Sequence, residues 1–82
     1  MKIKIKILAD FVTVREEKLA EELALVFKIR KSKDCFGRYW FIFRKNAEVD
    51  VRSYKKFKQV FRVLTILQEL NKKFSFSATN SS

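Results

Sequence analysis

The chain has 82 residues, 48% of them hydrophobic and nine of them Phe, with a single Cys, no His and a net charge of +10. That length holds one core and leaves no room for a second domain, and the apolar content excludes a disordered polyelectrolyte. One Cys excludes an internal disulfide, and the absence of His excludes a Cys/His metal centre and a Ser-His or Cys-His nucleophile pair.

Lys2-Ile3-Lys4-Ile5-Lys6-Ile7 alternates strictly and predicts a half-buried strand, with three Ile on one face and three Lys on the other. The same segment lacks the continuous apolar stretch of a signal peptide, and no run reaches the length of a membrane span, so a cytoplasmic, organellar-matrix or virus-encoded host-cell setting is expected. Thr13 followed by Glu16 has the form of a capping box and predicts a helix to about Arg30, with Leu19, Leu23, Val26 and Phe27 as its apolar face. Tyr39-Trp40-Phe41-Ile42-Phe43 is a second strand preceded by the only glycine, Gly37. Lys45-Asn46 reads as a hairpin turn into a third strand, Glu48 to Arg52. Ser53 is the expected N-cap of a second helix, whose Phe57, Val60, Phe61, Leu64, Leu67 and Leu70 recur at helical spacing with Lys55, Lys58, Arg62 and Glu69 toward solvent. Phe74 to Ser77 alternates as a short fourth strand, and residues 78–82 have the composition of a frayed end.

The expected fold is therefore α+β, a ferredoxin-like split βαββαβ with two helices on one face of a four-stranded sheet, forming a single basic domain over residues 1–77. The first and third strands would lie in the middle, with Lys2, Lys4 and Lys6 beside Glu48, Asp50 and Arg52 on the open face. Those opposite charges are expected to pair across strands. The turn length leaves the face of the aromatic strand open. A two-residue loop at Lys45-Asn46 sends Tyr39, Phe41 and Phe43 to the open face as a stacking platform. A three-residue loop ending at Ala47 sends them into the core and pairs Arg44 with Glu48, the arrangement that the usual burial of Phe favours.

In its aromatic content, Gly37 to Phe43 resembles the strand of RNA-recognition motifs. There the stretch sits on the third strand rather than the second, and its spacing differs, so no family residue is transferred. Leu8-Ala9-Asp10-Phe11-Val12 is similar to the start of the homing-endonuclease motif, but Thr13 and Arg15 stand where metal-binding acids would be needed.

Charge is concentrated in one stretch. Residues 1–27 carry five Lys/Arg and five Asp/Glu, residues 28–62 twelve and three, and residues 63–82 two and one. A field of that sign draws polyanions. Clustered carboxylates for metal-assisted chemistry are not evident, because only Glu48 and Asp50 share a face, while Asp10 and Asp34 read as turn or cap residues. Cys35 reads as a partly buried small residue. The apolar stripe of the second helix is needed for the core, which leaves none for a membrane. The expectation is a non-enzymatic nucleic-acid-binding protein, RNA ahead of DNA, with no cofactor, metal or small-molecule substrate. Its phosphate contacts would come from Lys28, Arg30, Lys31, Lys33, Arg38, Arg44, Lys45, Lys55, Lys56, Lys58 and Arg62. The alternative is a protein-interaction module, joined to a second copy or an acidic partner through the strand Tyr39, Trp40, Phe41, Ile42 and Phe43, expected to be an uncovered sheet edge.

Overall fold

The computed structural model describes residues 2–8, 10–44 and 46–80. In chain order they form β1 (Ile3–Ile7), β2 (Phe11–Val14), α1 (Glu17–Phe27), β3 (Ser32–Lys33), β4 (Tyr39–Ile42), β5 (Ala47–Val51), α2 (Tyr54–Leu70) and β6 (Phe76–Asn80). The strands make two separate three-stranded sheets, β5-β1-β6 and β2-β4-β3, and every pairing is antiparallel.

This corrects the ferredoxin-like expectation of one four-stranded sheet. The first strand is central, as expected, but the aromatic strand has left that sheet. Phe11–Val14, which read as the approach to a helix, is a strand, and it pairs with β4 so that Val12 lies opposite Phe41 and Val14 opposite Tyr39. Thr13 is therefore inside a strand and caps nothing. The helix begins at Glu17 after Glu16, which makes no side-chain cap bond, and ends at Phe27, short of Arg30, with Lys28 in the left-handed region at φ 54°.

The expected hairpin between the aromatic strand and the next one does not form. β4 and β5 run on along the same partner segment, with Phe11 opposite Ile42 in one sheet and Ile7 opposite Ala47 in the other. Between the two pairings Asn46 adopts φ 59°, which Asn tolerates better than most residues, and the Phe43 amide donates to the Asp10 carbonyl at 2.9 Å. Arg44 consequently does not face Glu48, whose partner is Lys6.

β4 is the middle strand of its sheet, bonded on both sides, so the expectation of a bare aromatic edge is also corrected. Its alternation is the core arrangement: Tyr39, Phe41 and Phe43 are buried, while Ile42 is 78% exposed and Trp40 half-buried. They join Ile5, Ile7, Val12, Val14, Leu19, Leu23 and Val51 in one core beneath both sheets.

α2 starts as expected, with Ser53 Oγ accepting the Lys56 amide at 3.2 Å, a cap whose loss costs about 1 kcal/mol. Its buried stripe is Val60, Val63, Leu64 and Leu67, each buried Leu contributing roughly 1.5–3 kcal/mol. Val63 takes the place expected for Phe61 and Leu70, which remain substantially exposed. Phe61 instead packs edge-on against Phe76 at 5.6 Å, at the border of the core. After the helix, the Phe74 amide donates to the Asn71 carbonyl and Phe74 is buried. That turn delays the last strand, so residues 78–80, read as frayed, form a ladder with β1 in which Ala78 faces Ile5. Main-chain pairing decides here, and the side-chain composition carried no sign of it.

Asn71 also ties the helix end to the second sheet. Its side-chain oxygen accepts the Thr13 amide at 3.3 Å and its NH2 donates to the Thr13 carbonyl at 2.9 Å, so one side-chain amide occupies the outer edge of β2 as a neighbouring peptide group would.

Candidate functional site

Alternation in β2 and β4 turns Val12, Val14, Tyr39 and Phe41 inward, which leaves Phe11, Thr13, Trp40 and Ile42 on the outer face of the sheet. Phe11 lies opposite Ile42 and diagonal to Trp40, a separation that aromatic rings can bridge. The Phe11 and Trp40 rings are stacked, with centroids 5.3 Å apart and planes inclined by 28°. Ile42 and the half-exposed Phe11 extend this apolar surface into solvent.

The loop between β3 and β4 fixes one side of the platform. Gly37, at φ 80°, donates its amide to the Asp34 carbonyl at 3.2 Å, and the Asp34 amide donates to the Arg38 carbonyl at 2.9 Å. Asp34 Oδ1 accepts the amides of Phe36 and Arg38, both at 2.9 Å. Its Oδ2 accepts Trp40 Nε1–H at 2.8 Å and Arg38 Nε–H at 3.0 Å. The Trp40 bond and the Arg38 amide, with smaller help from Phe36 and the guanidinium, hold the carboxyl well below the usual carboxylate range. The Arg38 guanidinium lies 5.7 Å from the Trp40 ring centroid and 5.4 Å from that of Phe36. Asp34 is thus a turn residue, as its sequence suggested, and also a clamp on two neighbouring side chains.

Basic residues rim the platform. Arg30 lines a shallow depression with Ile29, Ser32, Trp40 and Ile42, and Arg44 borders the next one. Beyond Phe11, a groove between Leu8, Asp10 and Leu70 is lined by Lys72 and Lys73. The structure therefore brings Arg30, Arg38 and Arg44 together with Trp40 and Ile42.

It does not gather the remaining expected contacts. Lys31 pairs with Glu21 at 3.8 Å, and both Lys31 and Lys33 lie near the ring of the buried Tyr39, at 5.4 and 5.7 Å. Arg62 Nη2 donates to both oxygens of Glu22, at 3.0 and 3.1 Å, and joins the two helices. Lys55, Lys56 and Lys58 are exposed on α2, with Lys58 5.0 Å from the Tyr54 ring centroid. Lys28 caps α1, and Lys45 lies outside the described residues. Sequence reasoning missed Phe11, Lys72 and Lys73, none of which has a local signal. It also missed the clamping role of Asp34, for which Asp at the first and Gly at the fourth position of a turn was a usable sign.

The outer face of β5-β1-β6 is charge-paired, with Lys4 opposite Asp50 and Lys6 opposite Glu48. Asp50 also meets Lys2 at 3.6 Å and Arg52 at 3.8 Å. Cys35 is exposed in the turn between β3 and β4, not partly buried as read from the sequence. Among the described residues no three His, Cys, Asp or Glu side chains come together, and no helix is long and apolar enough to cross a membrane. No family model, no curated protein and no solved structure matches this chain, so its function has to be argued from the residues above.

Proposed function

We propose that the chain is a small non-enzymatic nucleic-acid-binding protein, RNA ahead of DNA, and that it binds through the outer face of the β2-β4-β3 sheet. The observation that carries this reading is the stacked Phe11–Trp40 pair, continued by the exposed Ile42 and rimmed by Arg30, Arg38, Arg44, Lys72 and Lys73, in a chain of charge +10. Rings on a sheet face offer surface to bases, and the surrounding cations neutralise phosphates while releasing counterions. Lys55, Lys56 and Lys58, exposed on α2 and not part of the platform, act through the long-range field and strengthen attraction.

Filter binding with single- and double-stranded RNA and DNA across a salt series tests the proposal. Affinity is expected to fall linearly on a log-log salt plot, and removing Arg30 or Arg44 should lower the slope by about one each. Absence of salt-dependent binding to all four at low ionic strength overturns the proposal.

The competing reading, a protein-interaction module, is favoured by the exposure of Leu25 and Phe36, which lie outside the platform. Light scattering of the nucleic-acid-free chain separates the two. Concentration-dependent association abolished by Trp40→Arg would support docking of a second copy on this face.

A further inference from the structure

We infer that the site takes single strands, reading base faces and not base edges, and that Asp34 is the positioning residue that imposes this mode by clamping Trp40 and Arg38; the inference rests on the nucleic-acid reading above. Trp40 has one polar group, its indole N–H, and Asp34 Oδ2 already occupies it at 2.8 Å. Phe11 and Ile42 have none. Phe11, Trp40 and Ile42 therefore present π and aliphatic surface, and every base has a face to offer it; the Thr13 hydroxyl on the same face donates to Asn71 Oδ1 at 3.4 Å, and Ser32 and Arg30 place their polar groups beside the stacking surface. In a duplex those faces are stacked inside, out of reach of a sheet surface.

Arg38 is held in the same way, through Nε–H to Asp34 Oδ2 at 3.0 Å. The two Nη groups make no hydrogen bond with another described residue, so they point a fixed cation at a phosphate beside the stacked base. A single carboxylate thus sets the distance between a stacking surface and an anion site. It does so although it is itself an anion beside the proposed path of a polyanion, a placement that costs affinity unless positioning outweighs repulsion.

The opposed signs make the test sharp. Asp34→Asn keeps an oxygen for the Phe36 and Arg38 amides, while its NH2 cannot accept from the indole or from Nε. It also removes a negative charge, so electrostatics alone predicts tighter binding. Asp34→Glu keeps the charge and displaces the carboxylate. The probes are fluorescein-labelled U12, C12, dT12 and dC12, with a 12-base-pair RNA duplex and its DNA counterpart, followed by anisotropy at fixed salt. The melting temperature of each variant is recorded in parallel, and Trp40 anisotropy reports the freedom of the only Trp. The expected result is that the four single strands bind within about fivefold of each other and the duplexes at least about tenfold more weakly. Both variants should lose about three- to tenfold in affinity for single strands, the order expected of one net hydrogen bond, with Trp40 more mobile and the melting temperature little changed. If Asp34→Asn does not fold, Asp34→Glu decides. Asp34→Asn binding as tightly as the parent or more tightly overturns the positioning role, and equal affinity for duplexes overturns the stacking mode. A parent chain that binds none of the probes removes the nucleic-acid reading itself.

Discussion

The two sheets share one core and present opposite surfaces. On β5-β1-β6 the outward residues are Lys2, Lys4, Lys6 and Arg52 with Glu48 and Asp50 among them, four cations that two acids partly offset, Asp50 meeting Lys2 and Arg52 directly. On β2-β4-β3 they are Phe11, Thr13, Trp40 and Ile42, a mainly apolar set with Phe11 and Ile42 open to solvent and cations at the rim. The first surface is what a soluble sheet needs, and exposed pairs of that kind contribute roughly 0–1 kcal/mol each. The second keeps Phe11 and Ile42 in unfavourable contact with water, with the Phe11–Trp40 stack covering part of it. Charge density alone points to the whole of residues 28–62, whereas the stacked rings pick the outer face of β2-β4-β3.

The sharpest way to break this contrast is through what the sheets share. Phe41 is fully buried and belongs to the common core, so Phe41→Ala should cost about 3–5 kcal/mol, a large part of the roughly 5–15 kcal/mol available to a small domain. Thermal unfolding followed by far-ultraviolet circular dichroism should show a single transition at lower temperature. Two separated transitions would mean that the sheets do not share a core. Next in size is Trp40→Ala, which removes the platform from one face. Affinity for a single-stranded oligonucleotide should drop by about 1–3 kcal/mol, or roughly 5- to 150-fold, and the melting temperature should move little because the side chain lies outside the core. Lys4→Ala on the other face should change binding by less than about twofold and stability by under about 0.5 kcal/mol. An effect equal to that of Trp40→Ala would transfer the site to the lysine stripe.

The smallest expected effect concerns pH. Asp34 is held below the ordinary carboxylate range, so its contribution to the loop is complete above the unfolded-state pKa of about 3.9 and is lost as pH falls through the lower folded value. Trp40 fluorescence should stay constant from pH 7 to about pH 4 and change only in stronger acid. A change centred between pH 5 and 6 would contradict the clamp geometry.

Local pattern disclosed what local chemistry controls. Ile3, Ile5 and Ile7 announced their buried face by alternation, Ser53 its cap, and Leu64 and Leu67 their place under α2. The buried face of Tyr39, Phe41 and Phe43 followed from the size of Phe, although the hairpin used to reach it does not exist. Strand partnership was out of reach. Phe11-Val12-Thr13-Val14 is too short to declare itself, and whether residues 39–42 fold back on 47–51 or pair with 11–14 depends on which contacts close the core. The site is hidden for the same reason. Phe11 and Trp40 touch only because β2 and β4 pair, and Lys72 and Lys73 approach Phe11 only because α2 ends at β2.

The Asn71 amide seated on Thr13 has a consequence for the order in which the molecule opens. Thr13 lies on an outer strand, where amide protons ordinarily exchange with solvent through small local fluctuations. Its proton is instead bonded to a side chain whose own main-chain amide is tied to the Leu67 carbonyl in the last turn of α2. Deuterium therefore reaches Thr13 when the Asn71 side chain lets go, by its own rotation or with the end of the helix, and the protection of this edge amide should fall to that of an unpaired edge in Asn71→Ala.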